Sequence, residues 1–382
     1  MRICHVTPHL PPDQAANALL PYHLGVWGRA RGDDVTYLAH PPRAGAPAEV
    51  PGHVTWTAPN DRATGLARLL RLDTLSAVRR IKAAARPLLA RADIVHVHGN
   101  GLLAEVAGLV AHELRKPVIL TLYGTEVWHY RRRRPVDWFT SLYRRAAFVT
   151  FYSRGLLDRA QAIGLGRPSA DVVYPPVADA FVHHDVDAQQ RVRAALGIRE
   201  THVLLNVKRL HPLAGQSYLI DAMPAVLARE PDTRLVVCGT GPLLDSLRAR
   251  ATALGVAGHV EFAGLVDNAR VAQYCAAADA FVLPSLLEAC PTVALEAIAA
   301  GTPVISADHP GGVELHALFG DDVAVVPKER VEPLADAIVT FLAAKRRTRP
   351  ESADVLARHF RPRAVEARFW SVYTDALEAG RG

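Results

Sequence analysis

The sequence predicts an α/β fold of two doubly wound domains, because of the length of the chain and the alternation of its elements. At 382 residues the chain is too long for one ordinary core and suits two domains of ~100–200 residues each. Short apolar runs alternate with longer helical patterns, which is typical of parallel sheets covered by helices on both faces. Two such halves facing each other would form a cleft at the carboxyl ends of both sheets.

Strand-like runs in the first half are short and apolar, and a helical pattern follows most of them. The predicted strands are 3–7, 35–39, 94–98, 118–122, 147–152 and 172–173. A polar stretch with two prolines, from Tyr174 to Asp185, then interrupts the alternation. We place the linker between the domains there.

A second series of the same kind fills the rest of the chain. Its predicted strands are 203–207, 235–238, 260–262, 280–283, 304–305 and 323–326. The segment from Ala364 to Tyr373 is amphipathic at helical spacing. We therefore predict domains at 1–178 and 179–358, followed by a terminal helix within 359–382.

The composition indicates a globular protein, with 50% hydrophobic and 21% charged residues and a net charge of +6. Basic residues cluster in 131–134 and 68–91, where an anionic lipid or an acidic substrate could bind. A solvated helix face is the more frequent explanation of such clusters. Nucleic-acid binding is not predicted, because no aromatic side chains interleave with the basic ones.

The four cysteines are far apart and form no CxxC pair, so buried thiols in a reducing cytoplasm are expected. The chain opens on a strand-like run without the apolar core of a signal peptide. No segment reaches the ~20 apolar residues that span a bilayer. We expect a cytoplasmic protein with, at most, weak peripheral contact with a membrane. Few lysines among many Ala, Arg, Leu and Val residues suggest a high-GC bacterial genome.

Glu288 and Glu296 are the most informative pair of residues. They lie on either side of the point where the apolar strand 280–283 gives way to a helical pattern that ends at Gly301. The first turn of a helix offers unpaired N–H groups that can hold a phosphate, and carboxylates accept hydrogen bonds from sugar hydroxyls. Most glutamates are merely solvated, but Glu296 lies in an apolar helix, where an ionised group needs a partner.

Two glutamates separated by seven residues at a strand-to-helix junction resemble the signature of the GT4-type glycosyltransferases, and the resemblance covers nearly the whole chain. It implies the GT-B fold, in which two Rossmann-like domains face a cleft and a C-terminal helix crosses back to the first domain. It also implies that Glu288 contacts the donor sugar and Glu296 the ribose, while the backbone of Thr292 and Val293 holds the diphosphate.

A leaving diphosphate builds up negative charge, which cations or aligned donors must stabilise. The family supplies an Arg and a Lys from a Gly-Arg-Leu stretch followed by Lys-Gly. Residues 207–215 keep Arg209, but Ala214 stands at the Lys position. Lys208, which occupies the family's Gly position, is one candidate replacement, although neighbouring side chains on a strand point to opposite faces. His211 is an equally good candidate.

Two further segments of the second half match the family. Gly239 and Gly241 lie in a Gly-x-Gly-Pro turn after a strand, which implies donor binding, although a tight turn alone explains such glycines equally well. Residues 260–266 also match. In the family the backbone at the end of this segment, here Val266, meets the nucleobase.

The first half departs more from the family. Ala15 and Ala16 replace a Gly-Gly loop that approaches the donor phosphate, so accessible amides with an altered geometry are expected. Tyr123 replaces a His in Tyr-Gly-Thr-Glu. It can make one hydrogen bond near the sugar but cannot titrate near neutral pH as His does. Glu126 and His98 are candidates for the acceptor side.

His96 and His98 end a predicted strand. We expect them to alternate in direction, so that at least one faces the cleft and the other is a hydrogen-bonded core residue. No metal site is predicted, because the 17 histidines show no ligand spacing and no Asp-x-Asp ends a strand. No nucleophile elbow or dinucleotide-binding Gly-x-Gly-x-x-Gly follows the first strand, which argues against a hydrolase or a dehydrogenase.

The resemblance implies a retaining transferase that moves a sugar from a nucleotide donor to an acceptor hydroxyl without a metal or another cofactor. A UDP-sugar is favoured because it is the commonest donor in the family. The acceptor is a small molecule or a glycan, for instance a natural-product scaffold. Two alternatives stay open: a nucleotide-sugar 2-epimerase, which needs no acceptor, and a noncatalytic binding or partner protein, which Ala214 and Tyr123 motivate. The sequence does not indicate the oligomeric state.

Overall fold

The computed structural model describes residues 1–13, 15–42, 45–59, 72–132 and 137–379. The chain forms two compact units. The first unit comprises Met1–Tyr174 and the segment from Val365 onward, and the second unit is Pro175–Ala364. The domain boundaries predicted after residues 178 and 358 lie a few residues from these divisions.

The strands of both units are short and parallel to their neighbours. In the first unit they are β1 (Arg2–Thr7), β2 (Asp34–Ala39), β3 (His53–Trp56), β4 (Ile94–His98), β5 (Val118–Leu122), β6 (Phe148–Phe151) and β7 (Ala170–Val172). In the second unit they are β8 (His202–Val207), β9 (Thr233–Cys238), β10 (Val260–Gly264), β11 (Ala280–Leu283), β12 (Val304–Ala307) and β13 (Val323–Val326).

Helices connect these strands. Those up to the second sheet are α1 (Ala16–Ala30), α2 (Leu72–Arg91), α3 (Leu102–Glu113), α4 (Thr125–Trp128), α5 (Trp138–Arg145), α6 (Arg154–Ala160), a π-helix (Gln161–Leu165) and α7 (Val186–Leu196). The later ones are α8 (Gln216–Leu227), α9 (Leu244–Ala253), α10 (Asn268–Ala277), α11 (Thr292–Ala299), α12 (Pro310–Phe319), α13 (Val331–Ala344), α14 (Pro350–His359) and α15 (Pro362–Ala379). Three 3₁₀ turns are Pro212–Ala214, Ala257–His259 and Gly320–Asp322.

Each sheet reverses its strand order once. The first sheet has the order β3-β2-β1-β4-β5-β6-β7 and the second the order β10-β9-β8-β11-β12-β13. The predicted α/β fold with two doubly wound parallel sheets is therefore confirmed. In such sheets a ligand crevice opens where the order reverses, beyond the carboxyl ends of the two central strands. These points lie between β1 and β4 in the first unit and between β8 and β11 in the second.

Sequence prediction missed β3. This strand lies at the edge of the first sheet, pairs only with β2 among the described strands, and buries none of its four residues fully. An edge strand that is half solvated lacks the continuous apolar run that marks β4, β5 or β11, whose residues are all buried.

The terminal helix α15 packs in the first unit, as the resemblance implied. The indole N–H of Trp370 donates to Asp33 at 2.9 Å, and the Tyr373 hydroxyl hydrogen-bonds Nδ1 of His96 at 2.7 Å. Both aromatic side chains are buried. The helix therefore completes the core of the unit that contains the N-terminus.

The predicted basic clusters are described only in part. Arg133, Arg134 and the part of 68–91 before residue 72 lie outside the described residues. On α2, Lys82 and Arg86 both form ion pairs with Glu113 of α3, at 3.3 and 3.2 Å. These two cations thus belong to an exposed charge pairing between helices. None of the described helices is both long and apolar enough to cross a bilayer.

Candidate functional site

The reversal point of the second sheet brings together residues that are far apart in the sequence. β8 and β11 are neighbouring parallel strands, and their carboxyl ends lead into the segments that carry Lys208 and Glu288. The Lys208 ammonium lies 2.5 Å from Oε1 of Glu288, and both side chains are half-buried. The structure thus gives Lys208 a specific partner, namely the first glutamate of the motif.

The motif continues into helix α11. Its first residues, Thr292 and Val293, have backbone N–H groups without a hydrogen-bond partner among the described residues, whereas the N–H of Ala294 is bonded to Pro291 at 3.0 Å. The residue before the helix, Pro291, makes no side-chain hydrogen bond to this end. Unpaired N–H groups at the positive end of a helix dipole form a seat for an anion.

Glu296 lies one turn further along α11. Its carboxyl makes no hydrogen bond or ion pair within the part of the chain that the structure describes, and burial raises its pKa to about 7. The expected partner for an ionised Glu296 is therefore not supplied by the described residues. Near neutral pH both the neutral and the ionised form of the Glu296 carboxyl are therefore populated.

The other residues of the β8 segment fall into two groups. Arg209 is exposed, and its guanidinium has no hydrogen bond or ion pair with any described residue. Ala214 is buried in a 3₁₀ turn that His211 caps by accepting from the N–H of Leu213 at 3.3 Å. Two residues were candidates to replace the family lysine. The His211 side chain caps the 3₁₀ turn, whereas the Lys208 ammonium forms an ion pair with Glu288.

Gly239 and Gly241 have a packing role in the fold. A Cβ on Gly239, where φ is +135°, would lie 2.1 Å from the Lys208 carbonyl oxygen, and one on Gly241 would lie 2.2 Å from that of Leu210. The turn after β9 therefore packs directly on the backbone that leaves β8. Donor binding by these glycines, and by the half-buried Val266 beyond β10, stays a prediction.

Helix α12 supports the Glu288 loop, a contact that was not predicted from the sequence. The N–H of Gly311 in α12 donates to the Glu288 carbonyl at 3.0 Å, and a Cβ at Gly311 would lie 3.0–3.1 Å from the carbonyl oxygens of Glu288 and Ala289. His309 caps α12 by accepting from the N–H of Gly312 at 2.9 Å, and burial lowers the pKa of its imidazole to about 4. A His-Pro-Gly-Gly run after a strand was the available sequence signal.

In the first unit, Ala15 precedes helix α1 in extended conformation and Ala16 begins it; both are exposed. Glu126, at the start of α4, accepts from the N–H of Gly124 at 2.8 Å. A Cβ on Gly99, where φ is +80°, would lie 2.9 Å from Oε1 of Glu126. Burial raises the pKa of this carboxyl. The loops after β4 and β5 therefore meet at Glu126.

A cavity of about 320 Å³ opens beside this carboxyl. Besides Glu126, its lining includes Glu105, Tyr130, Arg131 and Arg132. This pocket of the first unit thus combines two kinds of group. Its carboxylates can accept hydrogen bonds from hydroxyls, and its guanidinium groups can bind phosphate.

The expectation that His96 and His98 alternate in direction is wrong. Side chains two residues apart lie on the same face of a strand, and the two rings stack with their centroids 4.0 Å apart. His5 of β1 joins them, and all three are fully buried. His98 is therefore a core residue, and its Nδ1 hydrogen-bonds the hydroxyl of Tyr123 at 2.7 Å.

The structure brings together three histidines that their spacing along the sequence did not indicate as a ligand set. His5, His96 and His98 each offer one nitrogen, and these three atoms lie within 4.8 Å of one another. Neighbouring parallel strands bring His5 opposite His96, a pairing that spacing along the sequence does not reveal. The predicted absence of a metal stays a prediction.

Comparison with known proteins gives matches to two family models. Residues 188–355 match the model described as glycosyl transferases group 1. Residues 22–181 match the model described as Glycosyltransferase Family 4. The two matches cover most of both units.

Among similar proteins is a GDP-mannose-dependent α-(1-6)-phosphatidylinositol monomannoside mannosyltransferase of Mycolicibacterium smegmatis. It is 35% identical over 226 residues, which are 56% of this chain and 57% of that protein. A D-inositol 3-phosphate glycosyltransferase of Corynebacterium glutamicum is 35% identical over 56% of this chain and 52% of its own length. The match thus spans about half the length of these relatives.

Solved structures resemble the whole chain. Anabaena Alr3699/HepE in complex with UDP has a TM-score of 0.74 at 19% identity and covers 98% of this chain and 100% of its own. Sucrose-phosphate synthase from Thermosynechococcus elongatus has a TM-score of 0.76 at 19% identity, over 99% and 100%. These similarities show the fold. With both halves matched by glycosyltransferase models, the chain belongs to the GT4-type glycosyltransferases of the GT-B fold.

Proposed function

We propose that this protein transfers a sugar from a nucleoside diphosphate sugar to an acceptor hydroxyl, with retention at the anomeric carbon. The observation that carries the proposal is the junction between β11 and α11. It combines a paired Glu288 and Lys208 with two N–H groups and a half-buried carboxyl, Glu296, that have no partner among the described residues. Each of these groups complements one part of a nucleotide sugar.

The diphosphate is assigned to the N-terminus of α11. The N–H groups of Thr292 and Val293 donate to it there, and the free guanidinium of Arg209 adds positive charge. Stabilising the negative charge that develops on the leaving group is the largest catalytic contribution expected in such a site. The leaving phosphate then accepts the proton of the acceptor hydroxyl. Since protein cations and amides can supply this charge, we propose that transfer is independent of metal ions.

Lys208 is assigned the role of the missing family lysine at Ala214. Its ammonium holds the Glu288 carboxylate at 2.5 Å and so places a positive charge beside the sugar and the diphosphate. Glu288 in turn accepts hydrogen bonds from sugar hydroxyls with its remaining lone pairs. One ion pair thereby orients the sugar and assists the leaving group.

Glu296 is assigned to the ribose. An ionised carboxylate accepts hydrogen bonds from two neighbouring hydroxyls, which compensates the cost of its burial. Its pKa of about 7 means that donor binding and ionisation of Glu296 are coupled. We therefore expect the ribose hydroxyls to form the hydrogen bonds that the Glu296 carboxyl lacks within the described residues.

The names of similar proteins indicate which donor and which acceptor to test first. The mycobacterial relatives are GDP-mannose-dependent, so GDP-mannose is the first donor to test, beside the UDP-sugar that the sequence analysis favoured. Two relatives act on inositol phosphates or lipids that contain them. The cavity lined by Glu126, Arg131 and Arg132 suits a polyol that carries a phosphate. We therefore propose a phosphorylated polyol as the acceptor class.

The test is a transfer assay with GDP-mannose and UDP-glucose as donors and inositol 3-phosphate or free inositol as acceptors. Release of the nucleoside diphosphate and formation of a glycoside are measured together. We expect Glu288→Ala to slow transfer, Glu296→Ala to weaken donor binding, and the exposed Glu351→Ala on α14 to change neither. Turnover that needs no acceptor would favour the epimerase, and a folded protein that binds no nucleotide would contradict the proposal.

A further inference from the structure

The loop that carries Glu288 packs against the first turn of helix α12. The Gly311 N–H donates to the Glu288 carbonyl oxygen at 3.0 Å. A Cβ on Gly311 would lie 2.9 Å from Cδ of Pro291 and 3.0 Å from the Ala289 carbonyl oxygen. The two backbones therefore touch without a side chain between them, and a displaced first turn of α12 would displace the loop as well.

His309 fixes this first turn. Its Nδ1 accepts from the N–H of Gly312 at 2.9 Å, and its Nε2 lies 3.2 Å from Oγ of Ser306 in β12. The Ser306 hydroxyl donates its own proton to the Ala307 carbonyl at 3.1 Å, so its oxygen can accept from the imidazole. The His309 side chain is fully buried. It thus ties the start of α12 to the strand before it.

These hydrogen bonds determine where the His309 ring carries its proton. A backbone N–H can only donate, so Nδ1 is bare and the ring proton lies on Nε2. Burial lowers the pKa of the imidazole to about 4. The ring is therefore neutral near pH 7, and each of its nitrogens takes part in a hydrogen bond. A protonated ring could not accept from Gly312.

The charges around this ring come in opposite pairs. Glu288 and Asp308 act on the imidazole with negative charge, and Lys208 and Lys328 with positive charge. A neutral residue caps α12 without changing this balance. An aspartate, which caps helices well, would add a negative charge near Glu288. His309 therefore supplies a cap that leaves the ion pair of Lys208 and Glu288 undisturbed.

We propose that His309 is a positioning residue for sugar transfer: as a neutral cap of α12, it holds the loop that carries Glu288 and leads into the N-terminus of α11. The proposal rests on the proposed function for what Glu288 and the N–H groups of Thr292 and Val293 bind. Loss of the cap would move this carboxylate and these N–H groups together. His309 acts through α12, because both of its ring nitrogens are bonded within the protein.

The first test reads the tautomer in the ligand-free protein. Long-range ¹H–¹⁵N correlation spectra of ring-labelled histidine distinguish a protonated from a bare ring nitrogen. At pH 7 we expect a proton on Nε2 of His309 and a bare Nδ1, with the signals of this ring identified by their loss in His309→Asn. A proton on Nδ1 would overturn the proposal, because the imidazole could then not cap α12.

The second test compares the single-turnover rates of three variants. His309→Ala removes the cap, and we expect its rate to fall by roughly 10–100-fold, because misplacement of a group by ~1 Å can cost about 100-fold. His309→Asn supplies a neutral cap and should recover most of the rate. His309→Asp also caps but adds a charge near Glu288, so it should stay slower than His309→Asn.

Asp185→Ala is the matched control. The exposed Asp185 caps α7 by accepting from the N–H of Ala188 at 2.7 Å, so this variant also loses a helix cap. It should keep the native rate. Thermal unfolding is measured for all variants, and His309→Asn and His309→Asp should unfold at similar temperatures. A cap that serves stability alone therefore predicts similar rates for these two.

A native rate in His309→Ala would contradict the proposal, and so would equal rates in His309→Asn and His309→Asp. The second comparison also decides the matter if His309→Ala does not fold. A folded His309→Asn as slow as His309→Ala would contradict the proposal too, because the imidazole would then have another role. Absence of nucleotide binding and transfer by the native protein would instead contradict the proposed function. The tautomer and the unfolding temperatures are measured without ligand, so the two failures are distinguishable.

Discussion

Among single residues, Glu296 is the one whose ionisation the proposed function couples most directly to nucleotide binding. Its pKa is raised from 4.5 to about 7 by burial. If the ionised form binds the ribose, the fraction of competent protein rises with pH through this value. We predict that nucleotide affinity increases by roughly tenfold between pH 6 and pH 8, as linkage requires for one proton released on binding. Calorimetric titration at several pH values measures it.

The control for this prediction is Glu296→Gln, which cannot ionise. Its weaker nucleotide affinity should change little over the same pH range. An affinity of the native protein that stays constant or falls between pH 6 and pH 8 would rule out the ionised carboxylate as the binding form.

Lys208 is the second residue whose role is specific to this chain. Its contact with Glu288 is partly solvated, so we expect Lys208→Met to change the free energy of unfolding by no more than about 1 kcal/mol. Its effect on the leaving group should be larger, with kcat lower by roughly 10²–10³-fold, as when one donor to a developing anion is removed. Single-turnover rates and thermal unfolding separate the two effects.

Two further variants sharpen this comparison. Lys208→Arg keeps the charge and should recover part of the rate, whereas Lys208→Gly restores the family residue without its lysine and should behave like Lys208→Met. Unchanged single-turnover rates in Lys208→Met would remove the lysine from the catalytic machinery.

Local motifs were predictable from the sequence, whereas contacts between residues that are distant in the sequence were not. Glu288, Glu296 and Arg209 were predicted as site residues because a local pattern of strand, turn and helix surrounds them. The contact between Lys208 and Glu288 joins two segments that are distant in sequence, and it depends on the pairing of β8 with β11. The pairing of His5 with His96 and His98 depends in the same way on β1 and β4.

At the scale of elements, the turn after β9 fixes the geometry of the segment that leaves β8. Because a Cβ on Gly241 would lie 2.2 Å from the Leu210 carbonyl oxygen, backbone must move to admit it. We predict that Gly241→Ala lowers the free energy of unfolding by about 1–3 kcal/mol. Chemical denaturation of both proteins measures the difference.

Gly258→Ala is the matched control, because nothing lies within 4 Å of the added Cβ. Its stability should stay within about 0.5 kcal/mol of the native value. Equal stability of the two variants would contradict the packing role given to Gly241.

The buried strands were predictable because each is a short apolar run between helical patterns. The bounds of β4, β5, β11 and β13 agree with the predicted ones residue for residue. β3 was missed because an edge strand needs no apolar face to pair through its backbone. An apolar run in the sequence therefore indicates that a strand is buried, but it does not show directly which strands pair.

At the scale of the whole molecule, α15 is the last element in sequence and belongs to the first unit. Phe369, Val372 and Tyr373 are fully buried there, and Trp370 and Arg368 bond to Asp33 and Asp171. Removing residues 365–382 would expose this core and leave the buried Nδ1 of His96 without its tyrosine. We predict that the truncated chain loses cooperative unfolding of the first unit.

Limited proteolysis tests this prediction by showing which unit is cleaved. Fragments should arise from the first unit, while Pro175–Ala364 resists digestion because its own core does not include α15. A truncated protein that resists digestion throughout would contradict the structural role given to α15.

We infer that the junction of β11 and α11 binds the nucleotide of the donor. Calorimetric titration with GDP, UDP, ADP and dTDP tests it most directly, with Glu296→Ala measured in parallel and Glu351→Ala as the control. We predict that one nucleotide binds well, that Glu296→Ala loses most of this affinity, and that Glu351→Ala keeps it. Undiminished binding by Glu296→Ala, or no binding of any nucleotide by the folded native protein, would contradict the assignment of this junction.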